Sequence, residues 1–376
     1  MARILLVTGE ASGDLHGAHL ARAFQDLAPD VELVGVGGEH MIQAGVQLVP
    51  HIDRVDAIGV PGIRQLLAGW KTLRVLSDYI RQEPFDAIVL IDSPGLNLRL
   101  AKSAGHLSSR IYYYIAPQMW AWGRRRMAIL RRAVKRVLAI LPFEERFFQE
   151  EGVSCTFVGH PLLDEMPEVQ DRVRVREAMG LPSDALVLGL LPGSRQSEIY
   201  QILPSMLDSL KFIAPCMGPL CILLAQAQNV PDGVVQEIVK RSDFPIHVLK
   251  GRAKEVMVAS DYLVIASGTA TLQAALIGTP MVIVYRVSLL TYLIAKCLVT
   301  INFIGLVNIL AGREVVPELI QGRMTPENIS RSLLALVNNP TRVMRMKTDF
   351  QEIRASLGGP GASRRVAEVI LADLMS

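Results

Sequence analysis

The chain has 376 residues, half of them apolar, punctuated by 29 Gly and 21 Pro. This length suits two domains of roughly 150 to 200 residues better than one core, and the composition excludes a low-complexity or disordered chain. The net charge of +3 is small and unevenly spread, and no recognised nucleic-acid motif accompanies the basic stretch, so no nucleic-acid partner is expected.

The first residues, Met1 to Val7, are too short for a signal peptide and read as a first strand running into a glycine turn. Further unbroken apolar runs at 32–36, 87–91, 109–115, 136–140 and 156–158 fit parallel strands covered on both faces. Helical periodicity separates them, for example at 15–27 and 66–82. Gly159-His160-Pro161 and the segment after it look like a linker, and a second series of strand-like runs follows at 186–191, 220–224, 246–249, 262–266 and 281–285. The expected fold is α/β: two doubly wound Rossmann-like domains, with ligands at the carboxyl ends of the strands and a cleft between the domains. The boundaries predicted are 1–165, 166–345 and a helical tail at 346–376 that packs back toward the first domain.

Mean hydropathy is high, +0.31. Residues 262–285 carry no charged side chain and are long enough to span a bilayer, but Gly268, Gly278 and Pro280 cut them into strand, loop, helix and strand. No span is expected. Cys155, Cys216, Cys221 and Cys297 show neither disulfide nor zinc spacing and read as free thiols of a reducing cytosol.

Four loops can carry chemistry. The turn after the first strand has glycines at 9, 13 and 17 with Glu10, Ser12 and Asp14 between them; it lets backbone approach a ligand, or is a tight βα turn with Asp14 as helix N-cap. Asp92, in Ile91-Asp92-Ser93-Pro94, ends an apolar strand, where it can act as a general base or cap the turn. Pro192-Gly193-Ser194-Arg195 holds the matching place in the second half, and small residues, a hydroxyl and an Arg at a helix start make a diphosphate cradle. Ser267-Gly268-Thr269 opens another helix with donor-rich residues, with Gln273 a turn further on. No Asp-x-Asp pair occurs, and His16 and His19 sit three apart without an obvious third ligand, so no metal is expected.

Residues 123–136 hold Arg124, Arg125, Arg126, Arg131, Arg132, Lys135 and Arg136 and no acid. They form a solvated helix face or meet anionic headgroups, where each nearby cation adds about 1 kcal/mol. The apolar segment containing Ile58, Val60, Ile63, Leu66, Leu67 and Trp70 is core or an interfacial element.

Taken together, these motifs with Ala116-Pro117-Gln118-Met119-Trp120-Ala121-Trp122, Leu141-Pro142-Phe143-Glu144, Gly159-His160-Pro161 and Asn308-Ile309-Leu310-Ala311-Gly312-Arg313-Glu314 resemble the lipid-A-disaccharide synthases of Gram-negative bacteria. The motifs stand in the family's order over residues 9 to about 318. The resemblance implies a GT-B glycosyltransferase of lipid A (lipopolysaccharide) biosynthesis. It would transfer 2,3-diacylglucosamine, with inversion, from its UDP derivative to the 6-hydroxyl of 2,3-diacylglucosamine 1-phosphate (lipid X). It further implies no cofactor, no metal, and a cytoplasmic protein peripheral on the inner face of the inner membrane; a homodimer is left open. By the same resemblance Asp92 is the base and Arg195 stabilises the leaving UDP. Gly193, Ser194, Ser267, Gly268, Thr269, Gln273 and Asn308 then bind the donor, and Glu10, Ser12, Asp14, Gln118 and Trp122 face the acceptor.

Two positions depart from the family. Gly95 stands where an acid is common, and Gln273 where Glu is common. The alternatives are another GT-B enzyme acting on UDP-N-acetylglucosamine (a peptidoglycan-type transferase or a 2-epimerase) and a non-catalytic nucleotide-sugar-binding protein.

Overall fold

The computed structural model describes residues 2–50, 52, 63–121, 123, 126–166, 171–182, 185–288 and 302–375; of 63–71, 108 and 109 it describes the backbone alone. The chain forms two compact units, Met1–Glu165 with Leu357–Ser376, and Met166–Ser356.

In the first unit the strands are β1 (Arg3–Val7), β2 (Glu32–Val36), β3 (Gln47–Leu48), β4 (Ala87–Ile91), β5 (Ile111–Tyr114), β6 (Arg136–Ala139) and β7 (Cys155–Phe157). They form one parallel sheet in the order β3-β2-β1-β4-β5-β6-β7. The apolar runs have no polar alternation because both faces are covered. Leu5 and Val7 of β1 pack on one side with Leu76, Ile80 and Leu100, while Ile4 and Leu6 pack on the other with Leu20 and Phe24. Each such side chain, fully buried, contributes roughly 1.5–3 kcal/mol. Val366, Ala367 and Ile370 of helix Ala362–Met375 join the second layer, beside helix Ala11–Leu27.

In the second unit, β8 (Leu186–Leu191), β9 (Leu220–Gln226), β10 (Ile246–Lys250), β11 (Tyr262–Ala266), β12 (Met281–Tyr285) and β13 (Glu318–Ile320) form a parallel sheet in the order β10-β9-β8-β11-β12-β13. This is again the doubly wound order. It turns back between β1 and β4 in one sheet and between β8 and β11 in the other, which is where such sheets bind ligands.

Some elements differ from the sequence expectation. The first helix begins at Ala11, not Leu15, so Glu10 is its N-cap and Ser12 to Asp14 lie in its first turn. The edge strands β3 and β13 had no matching expectation; at two and three residues they are too short to show as apolar runs. The segment 346–376 divides between the units, with helix Pro340–Ser356 in the second and helix Ala362–Met375 in the first. Among the described residues no helix is long and apolar enough to cross a membrane.

Candidate active site

At the switch point of the first sheet, Asp92 and Ser93 follow β4 with φ of 50° and 46°, a left-handed conformation that costs non-glycine residues about 1 kcal/mol or more each. The surrounding hydrogen bonds hold it. Asp92 N–H donates to Tyr114 O at 3.0 Å. Its carbonyl accepts from Asn97 Nδ2 and from the Tyr113 hydroxyl, both at 2.8 Å. Asn97 Nδ2 also reaches Ile91 O at 3.0 Å, and Asn97 is fully buried with no partner for Oδ1. Ser93 Oγ accepts from Gly9 N–H at 2.9 Å. A Cβ at Gly9 would lie 2.9 Å from Ser93 Cβ, so the close approach of the two loops needs glycine there.

Asp92 itself is half-buried. Burial pushes its carboxyl above the usual range, the Glu10 charge adds to that, and a hydrogen bond from the Ser93 backbone opposes it. Glu10 and Ser12 are exposed at the start of helix Ala11–Leu27, beside this loop.

Asp14 is placed differently. It neither caps its own helix nor presents a carboxylate to solvent, being only 3% exposed. Its Oδ1 accepts from Gly38 N–H at 2.6 Å and Met41 N–H at 3.2 Å, and its Oδ2 from His40 N–H at 3.0 Å. It therefore caps the neighbouring helix Glu39–Gln43, and its expected acceptor contact gives way to that role.

Gln118 is exposed in the loop after β5. The same loop is pinned by Trp120, whose Nε1 donates to Glu144 Oε1 at 2.9 Å and whose ring meets Phe143 edge-on at 5.0 Å. Glu144 is 2% exposed. Burial raises its carboxyl to about 7, against the hydrogen bonds from Trp120, Leu141 and Ile140.

Trp122, Ile58, Val60, Arg124 and Arg125 lie outside the described residues, as do the side chains of Ile63, Leu66, Leu67 and Trp70, and Cys297. Arg126 is exposed at the N-cap of helix Met127–Ala133.

At the switch point of the second sheet a pocket of about 380 Å³ is lined by Gly193, Ser194 and Arg195 from the loop after β8 and by Ser267, Gly268 and Thr269 from the loop after β11. Two helices, Gln196–Ile213 and Thr269–Ile277, begin at this pocket. Their N-terminal amides and dipoles suit an anion. Glu198, which also lines the pocket, was not singled out from the sequence. Its Oε2 accepts from Ser194 N–H at 2.9 Å and Arg195 N–H at 3.2 Å, and its Oε1 meets Arg195 at 3.3 Å. The Arg-x-x-Glu spacing of a capping box was the available signal. Gly193 has φ +115°, where a Cβ would overlap the Glu198 carboxylate. Arg195 is 76% exposed, so its cation is available to a ligand.

Asn308 does not line this pocket. It is fully buried, donating through Nδ2 to Val316 O and Glu318 Oε1 at 2.8 Å each and accepting through Oδ1 from Val315 and Val316 N–H at 2.8 and 2.9 Å. With every donor and acceptor in use, it has none left for a nucleotide. Gln273 is half-buried in helix Thr269–Ile277 and also lies off the pocket wall.

One further group comes together unexpectedly: Glu165 joins His16 and His19, with one ligand atom from each within 4.8 Å of the others.

Two doubly wound parallel sheets, each with loops gathered at its switch point, are the architecture of the GT-B fold. In fold the chain is similar to the UDP-GlcNAc 2-epimerase of Neisseria meningitidis bound to UDP-GlcNAc (TM-score 0.65, 11% identity, 98% of this chain and 100% of that one). It is also similar to MurG of Acinetobacter baumannii (TM-score 0.58, 14% identity, 99% and 100%). The lipid-A-disaccharide synthetase family model matches residues 4–371. The lipid-A-disaccharide synthases of Syntrophus aciditrophicus and Myxococcus xanthus are 38% and 39% identical over 371 and 376 residues, 98% of this chain and 97% of each relative. The chain belongs to the lipid-A-disaccharide synthase family: it is a glycosyltransferase that forms the lipid A disaccharide from a UDP-sugar donor and a sugar acceptor.

Proposed function

We propose that the enzyme transfers 2,3-diacylglucosamine from UDP-2,3-diacylglucosamine to the 6-hydroxyl of 2,3-diacylglucosamine 1-phosphate, with inversion, at the cytoplasmic surface of the inner membrane. The observation that carries this is Asp92: a half-buried carboxylate with a raised pKa, fixed in a left-handed turn at the end of a central strand. Such a carboxylate is a stronger base than a solvated one.

Asp92 takes the proton of the acceptor 6-hydroxyl. The hydroxyl oxygen forms the bond to C1 of the donor sugar, while the bond from C1 to the diphosphate oxygen breaks and UDP leaves with the electron pair. The diphosphate occupies the pocket at Gly193, Ser194 and Thr269, where Arg195 and the N-termini of two helices offset its negative charge. Both substrates carry acyl chains, which favours a membrane surface as the place of reaction. The cationic stretch 124–136 and the apolar segment 57–76 are suited to holding the enzyme there.

The test is product analysis after incubation with both acylated substrates in detergent. A β-1,6-linked disaccharide 1-phosphate, identified by mass and by its anomeric proton coupling, supports the proposal. An α-linked product overturns inversion, and turnover of UDP-N-acetylglucosamine in place of the acylated donor overturns the substrate assignment.

A further inference from the structure

His16 and His19 stand three residues apart on helix Ala11–Leu27 and so share a face. Glu165 ends the short helix Leu162–Glu165, 146 or more residues further along the chain than either. One ligand atom of each side chain lies within 4.8 Å of the other two, and all three residues are partly buried. Two imidazoles and a carboxylate at that spacing supply three corners of a tetrahedral site, and water can take the fourth.

The chemistry around His16 favours a metal over a simple ion pair. His16 Nδ1 is buried with no hydrogen-bond partner, and a buried imidazole nitrogen left unsatisfied is costly. The next layer is already ordered. His160 Nδ1 accepts from Leu162 N–H at 3.2 Å, which fixes its tautomer. Asp164, beside Glu165, accepts from Gly361 N–H at 2.5 Å and ties the turn to the returning C-terminal segment.

We propose that His16, His19 and Glu165 bind one divalent transition-metal ion of the zinc class, in a site separate from the transfer chemistry. The ion clips helix Ala11–Leu27 to the residue at which the chain leaves the first unit, and its role there is structural.

The full-length protein, stripped with a chelator, is titrated with Co²⁺ and then Zn²⁺. The expected result is one equivalent of Co²⁺ with the intense visible absorption of a four-coordinate ion, displaced by Zn²⁺, and a Tm that rises with added Zn²⁺. His19→Gln and Glu165→Gln should weaken binding roughly tenfold or more, while His247→Gln, an exposed histidine of the second unit, leaves it unchanged. Absence of stoichiometric binding to the wild-type protein overturns the proposal whether or not the variants fold. Equal affinity in wild type, His19→Gln and Glu165→Gln overturns it as well. None of these readouts depends on transferase activity.

Discussion

The hydroxyl of Tyr113 donates to the main-chain carbonyl of Asp92 at 2.8 Å, so the strand next to β4 holds the proposed base through its backbone. Asn97 shares that carbonyl from the other side. The φ of 50° at Asp92 is thus maintained through its main chain, leaving its carboxylate with a hydrogen bond from the Ser93 backbone.

Tyr113→Phe removes one of these two donors from a buried carbonyl. Stability should fall by about 1 kcal/mol, and kcat roughly tenfold with the donor KM unchanged, because the base is misaligned while the nucleotide pocket is intact. Steady-state kinetics with both substrates checks this. A lower Tm with unaltered kcat would leave Tyr113 with a folding role alone.

The raised pKa of Asp92 sets the acid limb of the pH–rate profile. As pH falls through that value the base is protonated and kcat/KM declines. Glu10 is one cause of the elevation, so Glu10→Gln should lower the Asp92 pKa and move the acid limb to lower pH. A limb that stays in place separates Glu10 from Asp92 electrostatically.

Glu144 gives a stability effect of its own. Burial raises its folded pKa to about 7, above the ordinary value of 4.5 for a glutamate. The folded chain therefore holds this proton more tightly, and the contribution is fully present below pH 4.5 and lost as pH rises through 7. The size is about 3 kcal/mol between those limits. Denaturant titrations at pH 4.5 and pH 8 should show the loss in wild type and not in Glu144→Gln, whatever that variant's absolute stability.

In the nucleotide pocket, Gly193→Ala forces a Cβ onto the Glu198 carboxylate at a backbone angle of +115°. UDP affinity, measured by calorimetry, should drop roughly tenfold or more, since the loop moves away from its anion-binding geometry. Gly95 is the converse case. Nothing lies within 4 Å of where its Cβ would be, so Gly95→Asp should fold with a Tm near wild type.

The strands of both sheets were legible because parallel strands buried on two faces are unbroken apolar runs. The short edges β3 and β13 carry no such run. Among site residues, loops at strand ends could be placed from the sequence, but the direction of a polar side chain could not. Asp14 and a ligand-facing carboxylate look alike in the sequence, because the amides that Asp14 caps lie at 38, 40 and 41, beyond strand β2. Asn308 likewise spends its amide on residues 315 to 318. Glu165 could not be joined to His16 and His19 because only the fold makes them neighbours.

The most direct measurement is UDP release by the purified full chain in detergent, given UDP-2,3-diacylglucosamine with and without 2,3-diacylglucosamine 1-phosphate. Release should require both lipids and be lost in Asp92→Ala and Arg195→Ala proteins whose circular dichroism matches wild type. Full activity in the Asp92→Ala protein, or release that ignores the acylated acceptor, would contradict the assignment of Asp92 as the base of this transfer.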